Sequence, residues 1–316
     1  MKLSLPLDSQ FDITKAIELA NLIERSYEEY KNFKDYSNGL LTANGRITGS
    51  EEIIDLCVDG DASTVIPKDG DISYLIIDIF QQTIDKNNPI PMGFIAQREN
   101  NLGLTNDYYI IFRGTMEKDE WQEDFRDKQV PFTLDGNATL NNLGQVAQGF
   151  AELYSNSSNI ETLIQNTFAN KVSDSIRIFV SGHSLGAALA TLAARHLVAI
   201  ELKPILYTYA SPRVGNHNFI QPLSDNINCY RIANSEDIVP YFPLATLTPS
   251  GNDMPNDFTM NRIKDIMTFA HLLDPKIPYI KDQYIHIGEP IYFTYSGEAV
   301  SLNHNMYHTY REALRN

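Results

Sequence analysis

The sequence predicts an α/β fold with a mostly parallel central sheet covered by helices on both faces. Three observations carry this expectation. Between Ile176 and Ile200, a β-branched and aromatic run, a glycine-flanked turn and an Ala- and Leu-rich stretch follow one another as strand, turn and helix. Strand-like runs at Pro204–Ala210 and Ile227–Ala233 then recur, each closing in a polar turn, with helical sequence around them. The 316 residues hold no Gly/Ser/Pro-rich linker, low-complexity tract or repeat, so a single domain over residues 1–316 is expected.

Taken in order, Ile13, Ile17, Ala20, Ile23, Tyr27 and Tyr30 fall at steps of three and four and predict an amphipathic helix over 12–34. Residues 36–70, rich in Gly, Asn, Asp and Ser, read mainly as loop. Ser73–Phe80 is apolar but too short to decide between strand and helix. Met92–Arg98 and Asp107–Arg113 read as a strand pair joined by the polar turn Glu99–Asn106. The acidic Met116–Lys128 stretch carries the single tryptophan, Trp121, a core or anchoring residue. Val146–Tyr154 and Asn159–Phe168 read as helices, Tyr284–Gly288 as strand, and Tyr307–Leu314 as a terminal helix.

Composition narrows the function. A formal charge of −15 makes the surface predominantly acidic, which argues against nucleic acid and anionic membrane surfaces as partners. Cys57 and Cys229 have neither metal spacing nor the numbers of a disulfide framework. No His/Asp/Cys cluster has ligand spacing, so no metal and no organic cofactor is expected. The N-terminus lacks a sustained apolar run and no stretch is long enough to span a bilayer, so a cytoplasmic location is expected, or a secreted one after processing or export by another route. The oligomeric state is not legible.

The chemistry concentrates in Gly182-His183-Ser184-Leu185-Gly186, a G-x-S-x-G pentapeptide at a strand-to-helix turn. Such a turn exposes the Ser184 hydroxyl at the end of a sheet and brings a helix N-terminus close to it. A serine nucleophile needs a base, and the base needs an acid to orient it. In α/β-hydrolase-like sheets the chain order is serine, acid, histidine, which leaves His271, His286, His304 and His308 as bases. His271 lies in a helical stretch and His286 in a strand-like run, where structural roles are the default. His304 stands in a loop ahead of the terminal helix, and His308 remains an alternative. Asp237 directly follows a strand and is the preferred acid. Phe112-Arg113-Gly114-Thr115 ends another strand, where Thr115 can offer the paired donors that an oxyanion needs, or mark an ordinary strand exit.

These residues resemble the class 3 lipases. The resembling motifs are Phe112–Thr115, Trp121-x-x-Asp124, the pentapeptide at Ser184, Ala210–Asn216 and Asp237–Pro240, with Tyr284–Tyr310 as a looser match. The resemblance implies an α/β-hydrolase fold, with Ser184 as nucleophile, Asp237 as acid and His304 as base. It implies Thr115 and the Leu185 backbone N–H as the oxyanion hole. It also implies a serine hydrolase acting on acylglycerol or related lipid esters, at a lipid interface or on a small soluble ester. A phospholipase A1 or galactolipase, a short-chain esterase and a non-catalytic lipase-like interaction protein are the alternatives.

Three departures stand out. Gln148 occupies a position where the family usually has histidine. The tail from His304 to Tyr310 is about one residue longer than the family's spacing, which keeps His308 open as base. Residues 244–283 read as an insertion, in which Ile263, Ile266, Met267 and Ala270 share one helical face. That face forms either a lid or acyl-site wall, or a helix packed permanently on the core.

Overall fold

The computed structural model describes residues 3–6, 9–34, 43–49, 72–82, 89–115, 128–134, 142–243, 284–297 and 300–315. Cys57, Trp121, Asp124, His271 and the 244–283 segment with Ile263, Ile266, Met267 and Ala270 lie outside these residues.

An eight-stranded sheet organises the described chain. Its strands are β1 (Arg46–Gly49), β2 (Ile72–Gln82), β3 (Ile90–Asn100), β4 (Gly103–Phe112), β7 (Arg177–His183), β8 (Ile205–Tyr209), β9 (Cys229–Asn234) and β10 (Glu289–Phe293), neighbouring one another in that order. The strands β5 (Gln129–Pro131) and β6 (Gln145–Ala147) pair separately. β1 to β4 form an antiparallel meander. β4, β7, β8, β9 and β10 run parallel, so every strand end from β4 onward reaches the same edge of the sheet. Ser73–Phe80, undecided by pattern, is therefore strand. The turn expected over Glu99–Asn106 contracts to Asn101-Leu102, because both strands continue into their polar ends.

Side chains alternate along the strands between two cores. Tyr108, Ile110 and Phe112 join the first, together with Ile178 and Val180; Tyr109, Ile111 and Phe179 join the second. This period-two division is what a sheet buried on both faces requires. The first core is covered by α2 (Gln148–Ser155), α3 (Ile160–Phe168), α4 (Leu185–Ala199) and α5 (His217–Asn226). The second is covered by α1 (Ile13–Lys34) and by the C-terminal segment Met306–Arg315.

α4 explains its own composition. It packs on β4, β7 and β8 and is covered in turn by α2, α3 and α5. Every residue from Leu185 to Leu197 is buried. A helix enclosed on all sides has no polar face to show, and small alanines let its neighbours approach closely. α1 departs from the simple amphipathic pattern. Ile13 is 44% exposed, whereas Asn21, Glu24, Arg25, Ser26 and Glu29 join Ile23, Tyr27 and Tyr30 in burial. The helix expected from Val146 begins at Gln148, after β6. Tyr284–Gly288 makes only an isolated bridge at Ile285, and the strand proper starts at Glu289. A short helical turn at Val300–Asn303 precedes His304.

Candidate active site

β7 ends at His183 and α4 begins at Leu185, which leaves Ser184 as the whole turn. Its backbone stands at φ 58° and ψ −126°. A non-glycine residue at such an angle stores about 1–3 kcal/mol of strain and persists only where its surroundings hold it. The flanking glycines supply that hold by letting backbone meet backbone. A Cβ on Gly182 would lie 2.1 Å from the Gly186 carbonyl oxygen, and one on Gly186 would lie 2.3 Å from that of Arg113. The Ser184 carbonyl accepts the Ala187 N–H at 2.9 Å and starts the helix, while its own N–H donates to Tyr209 at 2.9 Å.

Ser184, His304 and Asp237 form one line. His304 Nε2 lies 2.7 Å from Ser184 Oγ, and His304 Nδ1 lies 2.7 Å from Asp237 Oδ2. The Asp237 side chain is fully buried, and two more donors hold it: the Val239 N–H reaches Oδ1 at 3.0 Å and the Tyr310 hydroxyl reaches Oδ2 at 2.6 Å. Burial and the Asp237 carboxylate push the Tyr310 phenol well above its ordinary pKa, so it remains a donor. Asn234, the last residue of β9, ties the Asp237 loop to the segment that carries His304. Its side-chain amide donates to the carbonyls of Tyr295 and Asn303, and its oxygen accepts the Tyr295 N–H. Such a line can pass a proton from hydroxyl to imidazole and steady the resulting imidazolium.

Three further histidines are engaged away from Ser184. His308 is exposed, and its N–H donates to Asn305 Oδ1 in the C-terminal turn. His286 bonds the Pro240 carbonyl at 2.7 Å, and burial with the nearby Arg231 and Arg213 holds its pKa well below 6.5. His196 sits between Tyr154 and Gln165, where burial lowers its pKa to about 4. Gln148, at the first of the departures noted above, bonds Glu152 within its own helix.

The exit of β4 runs beside Ser184. A Cβ on Gly114 would lie 2.9 Å from the Ser184 Cβ and 2.7 Å from the His183 carbonyl oxygen. The half-buried Thr115 follows directly. Buried Arg113 braces this exit: it donates to the carbonyls of Pro91 and Gly114 at 2.7 Å each and lies over the Tyr30 ring. Leu185 is the first residue of α4, so its N–H has no acceptor within the helix. Thr115, Ser184 and Asp237 thus follow β4, β7 and β9 at one sheet edge, as expected for a parallel sheet. Among the described residues no group of three His, Cys, Asp or Glu could hold a metal ion, and no helix is long and apolar enough to cross a membrane.

Sequence pattern gave no role at the site to Tyr27, Tyr310, Asn234 or Asn303. The available signal was chemical: a tyrosine on an apolar face carries a hydroxyl that requires a partner once buried.

The family described as Lipase (class 3) matches residues 109–247. Phospholipase A1-Igamma2, chloroplastic, from Arabidopsis thaliana is 30% identical over 183 residues, covering 48% of this chain and 34% of that protein. Secreted mono- and diacylglycerol lipase 1 from Fusarium solani is 26% identical over 57% of this chain and 57% of its own length. The solved structure of the mono- and diacylglycerol lipase from Aspergillus oryzae is similar at a TM-score of 0.41 and 26% identity, over 57% of this chain and 65% of that one. The chain thus spans between about a third and three-fifths of the curated relatives named here.

Proposed function

We propose that this chain, whose residues 109–247 match the class 3 lipase family, is a serine hydrolase of lipid carboxylic esters. Ser184 Oγ attacks the ester carbonyl as His304 Nε2 takes its proton, and Asp237 steadies the imidazolium. The carbonyl oxygen, now negative, is received by Thr115 and the Leu185 N–H. His304 then gives its proton to the departing alcohol, leaving an acyl-enzyme. Water, activated by the same histidine, releases the fatty acid and restores Ser184.

The observation that carries this reading is the continuous hydrogen-bonded line from Ser184 through His304 to Asp237, two contacts of 2.7 Å, starting from a serine held at φ 58°. Its test is hydrolysis of p-nitrophenyl esters from short to long acyl chains by wild type and Ser184→Ala. Loss of turnover in a folded Ser184→Ala protein is expected. Equal turnover in the two proteins overturns the reading.

Acylglycerols are the proposed substrate class. The Arabidopsis relative's name supports a second one, phospholipids cleaved as by a phospholipase A1. Fatty-acid release from diacylglycerol emulsions compared with phosphatidylcholine micelles separates the two. Release from diacylglycerol alone supports the first, and faster release from phosphatidylcholine supports the second.

A further inference from the structure

Helix α1 passes behind the nucleophile turn, and a single stripe of it touches both halves of the site. Tyr27 Oη accepts the Gly114 N–H at 2.9 Å and lies 2.7 Å from His183 Nδ1. Gly114 precedes Thr115, and His183 precedes Ser184. One hydroxyl therefore joins the residue before the oxyanion threonine to the residue before the nucleophile. The approach is close by construction, since a Cβ on Gly114 would lie 2.4 Å from Tyr27 Oη.

The same stripe holds the segment that carries the base. Tyr307 donates to Glu28, Arg311 pairs with Glu24, and Lys31 lies over the Tyr307 ring. The His183 ring packs against His304, with centroids 4.7 Å apart, and meets Tyr310 edge-on at 5.6 Å. Burial, with His304 adding to it, keeps the His183 pKa well below 6.5. A neutral His183 adds no repulsion when His304 takes its proton.

We propose that Tyr27 is a positioning residue for ester cleavage: its hydroxyl fixes the distance between the oxyanion loop at Gly114–Thr115 and the nucleophile turn at His183–Ser184. This rests on the serine-hydrolase reading above. Oxyanion donors act only within about 2.7–3.1 Å of the developing charge, and a displacement of roughly 1 Å lowers turnover by about 10²-fold. Without the Tyr27 hydroxyl, the Gly114 N–H loses this acceptor and the loop loses this tie to the elbow.

The test is Tyr27→Phe, which keeps the ring and removes the link. Turnover of p-nitrophenyl butyrate is expected to fall between roughly 10- and 100-fold, with KM within about twofold. The acid limb of the pH profile is expected to stay in place, since the His304–Asp237 contact is untouched. Hydrogen exchange at the Gly114 amide is expected to rise about tenfold or more, while Ile110 and Ile111 in the same strand stay protected. Should Tyr27→Phe fold poorly, His183→Gln alters the link from its other end and is expected to lower turnover with KM within about twofold. Unchanged turnover, unchanged Gly114 exchange, or a loss of activity that follows global unfolding alone overturns the proposal. If wild-type hydrolysis survives Ser184→Ala, the serine-hydrolase reading fails by itself, and Gly114 exchange still decides whether the hydroxyl holds the two segments together.

Discussion

The Tyr310 hydroxyl donates to Oδ2 of Asp237 at 2.6 Å, the same oxygen that faces His304 Nδ1 at 2.7 Å. The carboxylate is therefore aimed by two partners from one segment: His304 and a tyrosine six residues later. Tyr310 also accepts the Asn234 N–H at 3.2 Å, which anchors that segment to the end of β9.

Tyr310→Phe leaves the ring in its edge-on contacts with Phe293 and His183 and removes only the hydroxyl. A hydrogen bond to a charged group contributes about 1.5–3 kcal/mol, so urea unfolding is expected to show a loss near the lower end of that range. Turnover is expected to fall roughly tenfold as Asp237 loosens, with KM little changed. Unaltered stability and unaltered turnover would mean that Asp237 is held by its other donors alone.

Ser184→Gly separates strain from chemistry. Glycine adopts φ 58° without the steric conflict that serine meets there. The variant is expected to lose ester hydrolysis while its unfolding midpoint rises, by an amount corresponding to about 1 kcal/mol or more of released strain. Differential scanning calorimetry beside Ser184→Ala, which keeps the strain, checks this. A midpoint for Ser184→Gly at or below that of Ser184→Ala contradicts it.

The turn at Gly182–Gly186 was legible because its requirement is local. Only glycine fits where Gly182 meets Gly186 and Gly186 meets Arg113, and that leaves a fixed spacing around Ser184. The strand over Asp107–Arg113 was equally local. The choice between His304 and His308 was not, because it depends on how the chain travels afterwards. Met306–Arg311 is a π turn, in which the Tyr310 N–H reaches back five residues to the Asn305 carbonyl. A π turn takes up one residue more than an α turn. Here it keeps Tyr310 on Asp237 and leaves His308 exposed. Strand ends were lost for a different reason. Glu99 pairs with Arg46, and Thr105 bonds the Arg98 carbonyl, so polar residues that read as a turn are satisfied across strands. Hydrophobic periodicity does not register such pairs. Tyr27 counted correctly as a packing residue, and nothing in its spacing told where its hydroxyl would go.

Glu24 offers a pH-dependent prediction. Burial raises its pKa from 4.5 to about 7, against the attraction of Arg311 and Arg315. Between those two values the folded chain holds a proton on Glu24 that the unfolded chain has released. Protonated Glu24 therefore favours the fold fully below about pH 4.5, and this contribution is lost as pH rises through about 7. His183, His196 and His286 act in the opposite sense. Burial lowers their pKa values, so acid draws protons onto the unfolded chain first. The total stability curve mixes both effects, and a difference isolates one. Urea unfolding of wild type and Glu24→Gln at intervals from pH 5 to pH 8 is expected to show the wild type losing stability relative to the variant as pH rises. The histidine contributions are common to both proteins and cancel. A difference that stays flat across this window would place the Glu24 carboxyl near its ordinary pKa, with the Arg311 pair strong enough to offset its burial.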